Sequence, residues 1–123
     1  MTERHTRQRA ALHKIFQDAG RPLSAAEVHR LAERRVRGIG MATVYRNINR
    51  LVALRQLEPV DLPGEVPRYE LRRQTHHHHF LCRRCGRVYD VAGCSPVLTG
   101  RLPRGFRADG HDVVLYGICA ACA

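Results

Sequence analysis

Two Cys-x-x-Cys pairs, Cys82-Arg-Arg-Cys85 and Cys119-Ala-Ala-Cys122, constrain this chain more than any other feature. A tetrahedral Zn(II) takes four thiolates at about 2.3 Å, and each pair can present two of them from one tight turn. The chain between the pairs is long enough to fold back and close a single four-cysteine site. One such pair alone would suit a dithiol redox catalyst, whereas two in one short chain point to zinc. Four thiolates leave no open position for a substrate, so the expected role is structural. At 123 residues there is room for one ordinary domain or two very small ones, and very small domains need a staple of this kind.

Immediately before the first pair comes His76-His77-His78-His79, within a segment, HHHHFLC, that reads as a strand. Side chains alternate along a strand, so His76 and His78 face one side and His77 and His79 the other. Two separate metal sites can therefore share it. Imidazole suits Zn, Fe, Ni and Cu, and carboxylates such as Glu70 and Asp90, or a further imidazole from His111, are available to complete the coordination. The plain alternative, an exposed polar tract or a tag, fits poorly with strand-like residues on both sides. The fifth cysteine, Cys94, reads either as a buried apolar residue or as an extra ligand near Asp90.

Upstream, the periodicity is helical. Ala11, Leu12, Ile15, Phe16 and Ala19 predict a first helix from Thr6 to Ala19, stopped by Gly20-Arg21-Pro22. Ser24 and Glu27 form a capping-box pair ahead of Val28, Leu31 and Ala32, predicting a second helix to about Arg35. A third starts near Gly40 or Met41, with Val44, Ile48 and Leu51 inward and Thr43, Arg46, Asn47 and Arg50 outward. QLEPVDL and VPRYEL, separated by Pro63-Gly64, read as a hairpin whose prolines Pro59 and Pro67 demand short or edge strands. Three helices and a hairpin make a winged helix-turn-helix.

On the third helix, arginine can pair bidentately with guanine, asparagine can read adenine, and Tyr45 can meet a thymine methyl or a phosphate. The formal charge of +10, carried by arginines with Lys14 as the one lysine, suits a polyanionic partner. No apolar run reaches the roughly 20 residues needed to cross a bilayer, and the first residues lack the apolar stretch of a signal peptide. A cytoplasmic protein without membrane contact is expected. The predicted class is α+β: a winged-helix DNA-binding domain over 1–71, a hinge at 72–75 and a small α/β metal-binding domain over 76–123, with RVYDV and HDVVLYGI as further strands.

Taken together, SAAEVHRL, ATVYRNINRL, RYEL, HHHHFLCRRCG and YGICAAC resemble the ferric uptake regulator family over nearly the whole chain. Members of that family are homodimeric, metal-activated repressors and include iron, zinc, manganese and peroxide sensors. The resemblance implies structural zinc on Cys82, Cys85, Cys119 and Cys122. It implies a hinge-proximal sensing site of Glu70, His77, His79 and Asp90, and a second site of His76, His78 and His111 in the dimerisation domain. It also implies Tyr45 and Arg46 in the major groove and Arg4 in the minor groove, where A·T-rich flanks attract arginine.

The chain departs from the family pattern in three places. Arg21-Pro22-Leu23 stands where many members have a histidine ligand before helix two, leaving Glu58, Asp61 or Glu65 as candidate replacements. Arg72 stands where zinc sensors often place a cysteine, for which Cys94 is a candidate substitute. The segment from Ser95 to Gly110 is shorter than the family's helix there and is broken by Pro96, Gly100 and Pro103. The expected function is repression of metal-homeostasis genes from a palindromic double-stranded operator, with zinc favoured over Fe(II) or Mn(II) as the regulatory ion. A peroxide sensor using Fe(II) is the nearest alternative. A small metalloenzyme or a metal store is the alternative of another kind: the first lacks a general base beside the histidines, and the second has no use for a winged helix.

Overall fold

The computed structural model describes residues 3–73, 75–93 and 102–123, and the chain divides into two compact units, Met1–Arg73 and Gln74–Ala123. In the first, helix α1 (Glu3–Ala19) buries Leu12, Ile15 and Phe16 one turn apart. It begins three residues before the periodicity predicts. Those residues carry no apolar signal, but Glu3 places a carboxylate in the first turn, where the helix dipole favours it. Gly20 ends the helix at φ 61°, its N–H bonded to the Phe16 carbonyl at 3.2 Å.

The capping box is realised at α2 (Ala25–Glu33). Ser24 Oγ accepts from the Glu27 N–H at 3.2 Å, and Glu27 Oε1 accepts from the Ser24 N–H at 3.1 Å. Arg21 holds the other Glu27 oxygen at 2.9 Å. Helix α3 (Met41–Ala53) turns Val44, Ile48 and Leu51 inward. Two-residue β1 (Leu23–Ser24), β2 (Leu57–Val60) and β3 (Arg68–Leu71) form an antiparallel sheet in the order β1-β3-β2. Pro59 therefore sits on an edge strand, where its missing N–H costs no ladder bond. Sequence reading misses β1, because two residues have no period; its pairing of Leu23 with Tyr69 comes from tertiary packing. The helices and sheet share a core that includes Leu12, Phe16, Leu23, Val28, Val44, Ile48, Leu51 and Leu57. Each such side chain contributes about 1.5–3 kcal/mol on burial.

The second unit is a three-stranded sheet of β4 (His77–Cys82), β5 (Val88–Ala92) and β6 (Val114–Gly117) in the order β5-β4-β6. β4 and β5 are antiparallel across the first cysteine turn, where Gly86 adopts φ 76° and donates to the Cys82 carbonyl at 2.9 Å. β6 runs parallel to β4, pairing His79 with Val114 and Cys82 with Gly117. A tight turn cannot join a parallel pair, and here the chain passes from β4 through β5 before it reaches β6. Gly117 packs closely at that register: a Cβ there would stand 3.2 Å from the Phe80 ring, which would have to shift by a few tenths of an ångström. The described apolar core of this unit is small: Leu81, Cys82, Val88 and Cys119. Among the described residues, 102–110 form neither helix nor strand, and no helix is long and apolar enough to cross a membrane.

Candidate metal centres and nucleic-acid interface

The parallel register of β6 against β4 carries the second cysteine pair beside the first. The thiol sulfurs of Cys82, Cys85, Cys119 and Cys122 lie within 4.8 Å of one another, with Cys85 and Cys119 at 3.8 Å. A tetrahedron with bonds of about 2.3 Å has edges of about 3.8 Å, so this donor set fits Zn(II). The backbone N–H groups of Cys85 (3.5 Å) and Cys119 (3.3 Å) point at Cys82 Sγ and lower its pKa to about 6. A hydrogen bond with Tyr89 lowers that of Cys119, whereas the neighbouring Cys119 sulfur pushes Cys122 up to about 12. Four thiols this close cannot all ionise without a cation between them. The two arginines inside the first turn are occupied structurally. Arg84 donates to the Cys122 carbonyl at 3.0 Å, and Arg83 lies 5.0 Å over the Tyr116 ring.

Alternation along β4 separates the histidines as predicted from strand geometry. On one face, His77 Nε2 and His79 Nε2 stand 3.5 and 3.4 Å from Asp90 Oδ1, because Asp90 pairs with His79 across the ladder. The Thr75 carbonyl, which can only accept, takes the Nδ1 proton of His77 at 3.1 Å and leaves its Nε2 lone pair directed at the cluster. Glu70 is buried on β3 of the first unit, directly opposite Glu58 in the β2–β3 register. Among the described residues Glu58, Asp61 and Glu65 join no cluster of candidate ligands, and Glu65 instead accepts from the buried Arg68 at 3.0 Å. Cys94 lies outside the described residues.

On the other face, His76, His78 and His111 converge through their Nε2 atoms at 3.0, 3.2 and 3.3 Å. Burial, with His76 and His111 close by, holds the His78 pKa below its ordinary value, so this ring stays neutral. The Val113 N–H donates to His78 Nδ1 at 3.2 Å, which places the proton of the neutral ring on Nε2. Three imidazole nitrogens in a triangle cannot alternate donor and acceptor. A cation satisfies all three at once, with His78 releasing its proton.

In the first unit, α1 and α3 enclose a cleft of about 350 Å³ lined by Arg4, His5, Gln8, Arg9, Thr43, Arg46, Asn47 and Arg50. Four arginines and no acid face it, which suits a phosphate. Thr43 Oγ1 accepts from Arg46 at 2.9 Å and pre-orients that guanidinium. Tyr45 is exposed on the same helix. Asn47 is 8% exposed and donates to the Thr43 carbonyl at 2.9 Å, so its amide is turned into its own helix rather than toward a base edge. Sequence reading missed His5, Gln8 and Arg9. The signal was their spacing with Arg4 along one helical face, obscured because the helix was expected to begin only at Thr6.

Comparison with known proteins agrees with this geometry. The model of the family described as "Ferric uptake regulator family" matches residues 1–116. The chain is 30% identical to Ferric uptake regulation protein 2 of Mycolicibacterium fortuitum, over 98% of this chain and 86% of that protein. It is also 30% identical to the Ferric uptake regulation protein of Campylobacter jejuni, over 68% of this chain, and spans only 55% of that relative's length. Among solved structures, a zinc-bound manganese uptake regulator matches with a TM-score of 0.79 at 28% identity, covering 97% of this chain and 89% of that one.

Proposed function

The chain belongs to the ferric uptake regulator family, whose members are transcription regulators and not enzymes, and from that premise we propose that it is a homodimeric, metal-activated repressor of metal-homeostasis genes. The carrying observation is the pairing of an arginine-lined cleft in one unit with three clusters of candidate metal ligands which, Glu70 aside, lie in the other. On this reading Cys82, Cys85, Cys119 and Cys122 hold structural zinc. His77, His79 and Asp90, joined by Glu70 from the first unit, form the regulatory site, and His76, His78 and His111 a further one. A divalent ion, when bound, supplies charge-dense bonds to both units.

Glu70 lies on β3, the second strand of the wing hairpin, so ligation by Glu70 together with the histidines restricts the winged helix. Two copies so restricted hold their α3 helices at the spacing of a palindromic operator. Moving such an equilibrium from mostly open to mostly closed takes about 5.5 kcal/mol of differential binding. Thr43, Tyr45, Arg46 and Arg50 face the major groove. Arg4 reaches the minor groove, with Arg9 beside it on the backbone. Leu102, Phe106, Leu115, Tyr116 and Ile118 are exposed apolar residues of the second unit, which supports its pairing with a second copy.

Zinc is the favoured regulatory ion over Fe(II) or Mn(II). The donor spacings of 3.4 and 3.5 Å approach the tetrahedral edge of about 3.3–3.4 Å for bonds of 2.0–2.1 Å, whereas an octahedral ion at that distance gives about 3.0 Å. The test is operator binding by fluorescence anisotropy under each ion in turn, with metal content measured alongside. His77→Ala with His79→Ala should abolish metal-dependent binding while zinc on the cysteines is retained; unchanged binding at saturating metal overturns the site assignment. Arg9→Gln should weaken all sequences alike and reduce the salt slope by about one.

A further inference from the structure

The three clusters differ in the charge they return to a bound ion. Four thiolates overcompensate a divalent cation, and Asp90 offsets part of one held by His77 and His79. His76, His78 and His111 supply no charge at all. Their Nε2 triangle, with sides of 3.0, 3.2 and 3.3 Å, matches one face of a tetrahedron whose bonds are about 2.0–2.1 Å long and whose edges are about 3.3–3.4 Å. An ion seated on that face has its fourth direction on the side away from the three rings. His78 is buried while His76 and His111 are exposed, so the triangle lies at the surface of the unit. Asp109 and Asp112 flank His111 in sequence, yet among the described residues no carboxylate or thiolate joins the three imidazoles within 4.8 Å. Three imidazoles with an open fourth position are the ligand pattern of exchangeable rather than closed zinc sites.

We propose that the His76–His78–His111 triangle holds a divalent ion with an exchangeable fourth position, and that this position takes a small anionic ligand from solution. The ligand class is a compact monoanion or a thiolate, because three neutral imidazoles return no charge to a divalent ion and an anionic fourth donor does. The site thus responds to a metal together with a small ligand, which the closed four-cysteine site cannot do. The proposal rests on the triangle being a metal site, as in the function proposed above, and adds the open position.

The experiment uses the full chain with zinc on its cysteines. Co(II) is added, its visible absorption recorded, and azide and then 2-mercaptoethanol titrated in. The difference between the native chain and His111→Ala isolates the triangle without altering His77 or His79, and His76→Ala serves as the second variant if His111→Ala folds poorly. The expected result is a saturable spectral change at one azide per triangle-bound cobalt, retained in Cys94→Ser and lost in His111→Ala, with cobalt affinity falling about tenfold or more in that variant. A cobalt spectrum indifferent to both ligands means the protein supplies the fourth donor and overturns the proposal. So does a thiolate-to-cobalt band already present in the native chain and absent from Cys94→Ser, since Cys94 is the sole metal-ligating residue type within residues 94–101. If His111→Ala leaves cobalt uptake unchanged, the triangle is not a metal site at all. The His77–His79 reading would then stand or fall by its own operator-binding test.

Discussion

The two units solve the same problem by different means. The first buries a continuous set of aliphatic and aromatic side chains beneath three helices and a sheet, among them Leu12, Phe16, Leu23, Val44 and Ile48. The second, about 50 residues long, has four buried apolar residues among those described, and two of these are cysteines of the four-thiol cluster. Small domains bury too little surface to offset chain entropy on their own. What the first unit draws from packing, the second must draw from ligands. The lesson is that its stability should follow metal content, while that of the first should not.

The sharpest way to break this comparison is Cys82→Ser. Structural zinc sites carry apparent binding energies of about 10–16 kcal/mol, so the second unit should lose its cooperative transition while the first keeps its own. Calorimetry with and without a strong chelator reads both, and chelation of the native chain should reproduce the variant. Loss of both transitions together would show that the units are not independent in stability.

Phe16→Ala tests the converse. Phe16 is 2% exposed at the centre of the helical core, and its truncation should cost about 3–5 kcal/mol in the first unit alone. Denaturation followed by circular dichroism checks the loss, and zinc content per chain should not change. A smaller effect is expected from Gly86→Ala, which puts a side chain at φ 76° in the first cysteine turn and should destabilise the zinc-loaded second unit by about 1–2 kcal/mol. Smallest is Ser24→Ala, which removes the cap of α2 at a cost of about 1 kcal/mol in the first unit. A shift of the second unit's transition by Ser24→Ala, or of the first unit's by Gly86→Ala, would blur the division drawn here.

Much of the architecture was legible because it depends on local spacing. The stripes of α1 and α3 follow from residues three and four apart, the start of α2 from Ser24 and Glu27, and the separation of the histidines from two-residue alternation. The α+β class with its winged helix and four-cysteine cluster follows from those features together. Less legible were elements whose existence depends on a distant partner. β1 is two residues long and exists by pairing with β3, some 45 positions away. The early start of α1 left Arg4 and His5 outside the expected helix and hid the arginine cleft. Asn47 has a residue type that can read a base, but its amide bonds back to Thr43, and residue type alone does not reveal which way a side chain turns.

What the sequence alone determined is the chemistry available in each region: arginines on two helical faces, seven nitrogen and oxygen ligand candidates around β4, and thiols in two tight turns. Tertiary structure decided which of these meet. The parallel register of β6 on β4 brings His111 to His76 and His78 from more than 30 residues away and sets Cys119 against Cys85. The packing of α1 on α3 closes the arginines into one cleft. The physical reason is the range of the forces involved. Helical and strand periods are fixed by backbone geometry within a few residues, whereas a ligand set or a cleft exists only once chain-distant surfaces are buried in one register and not another.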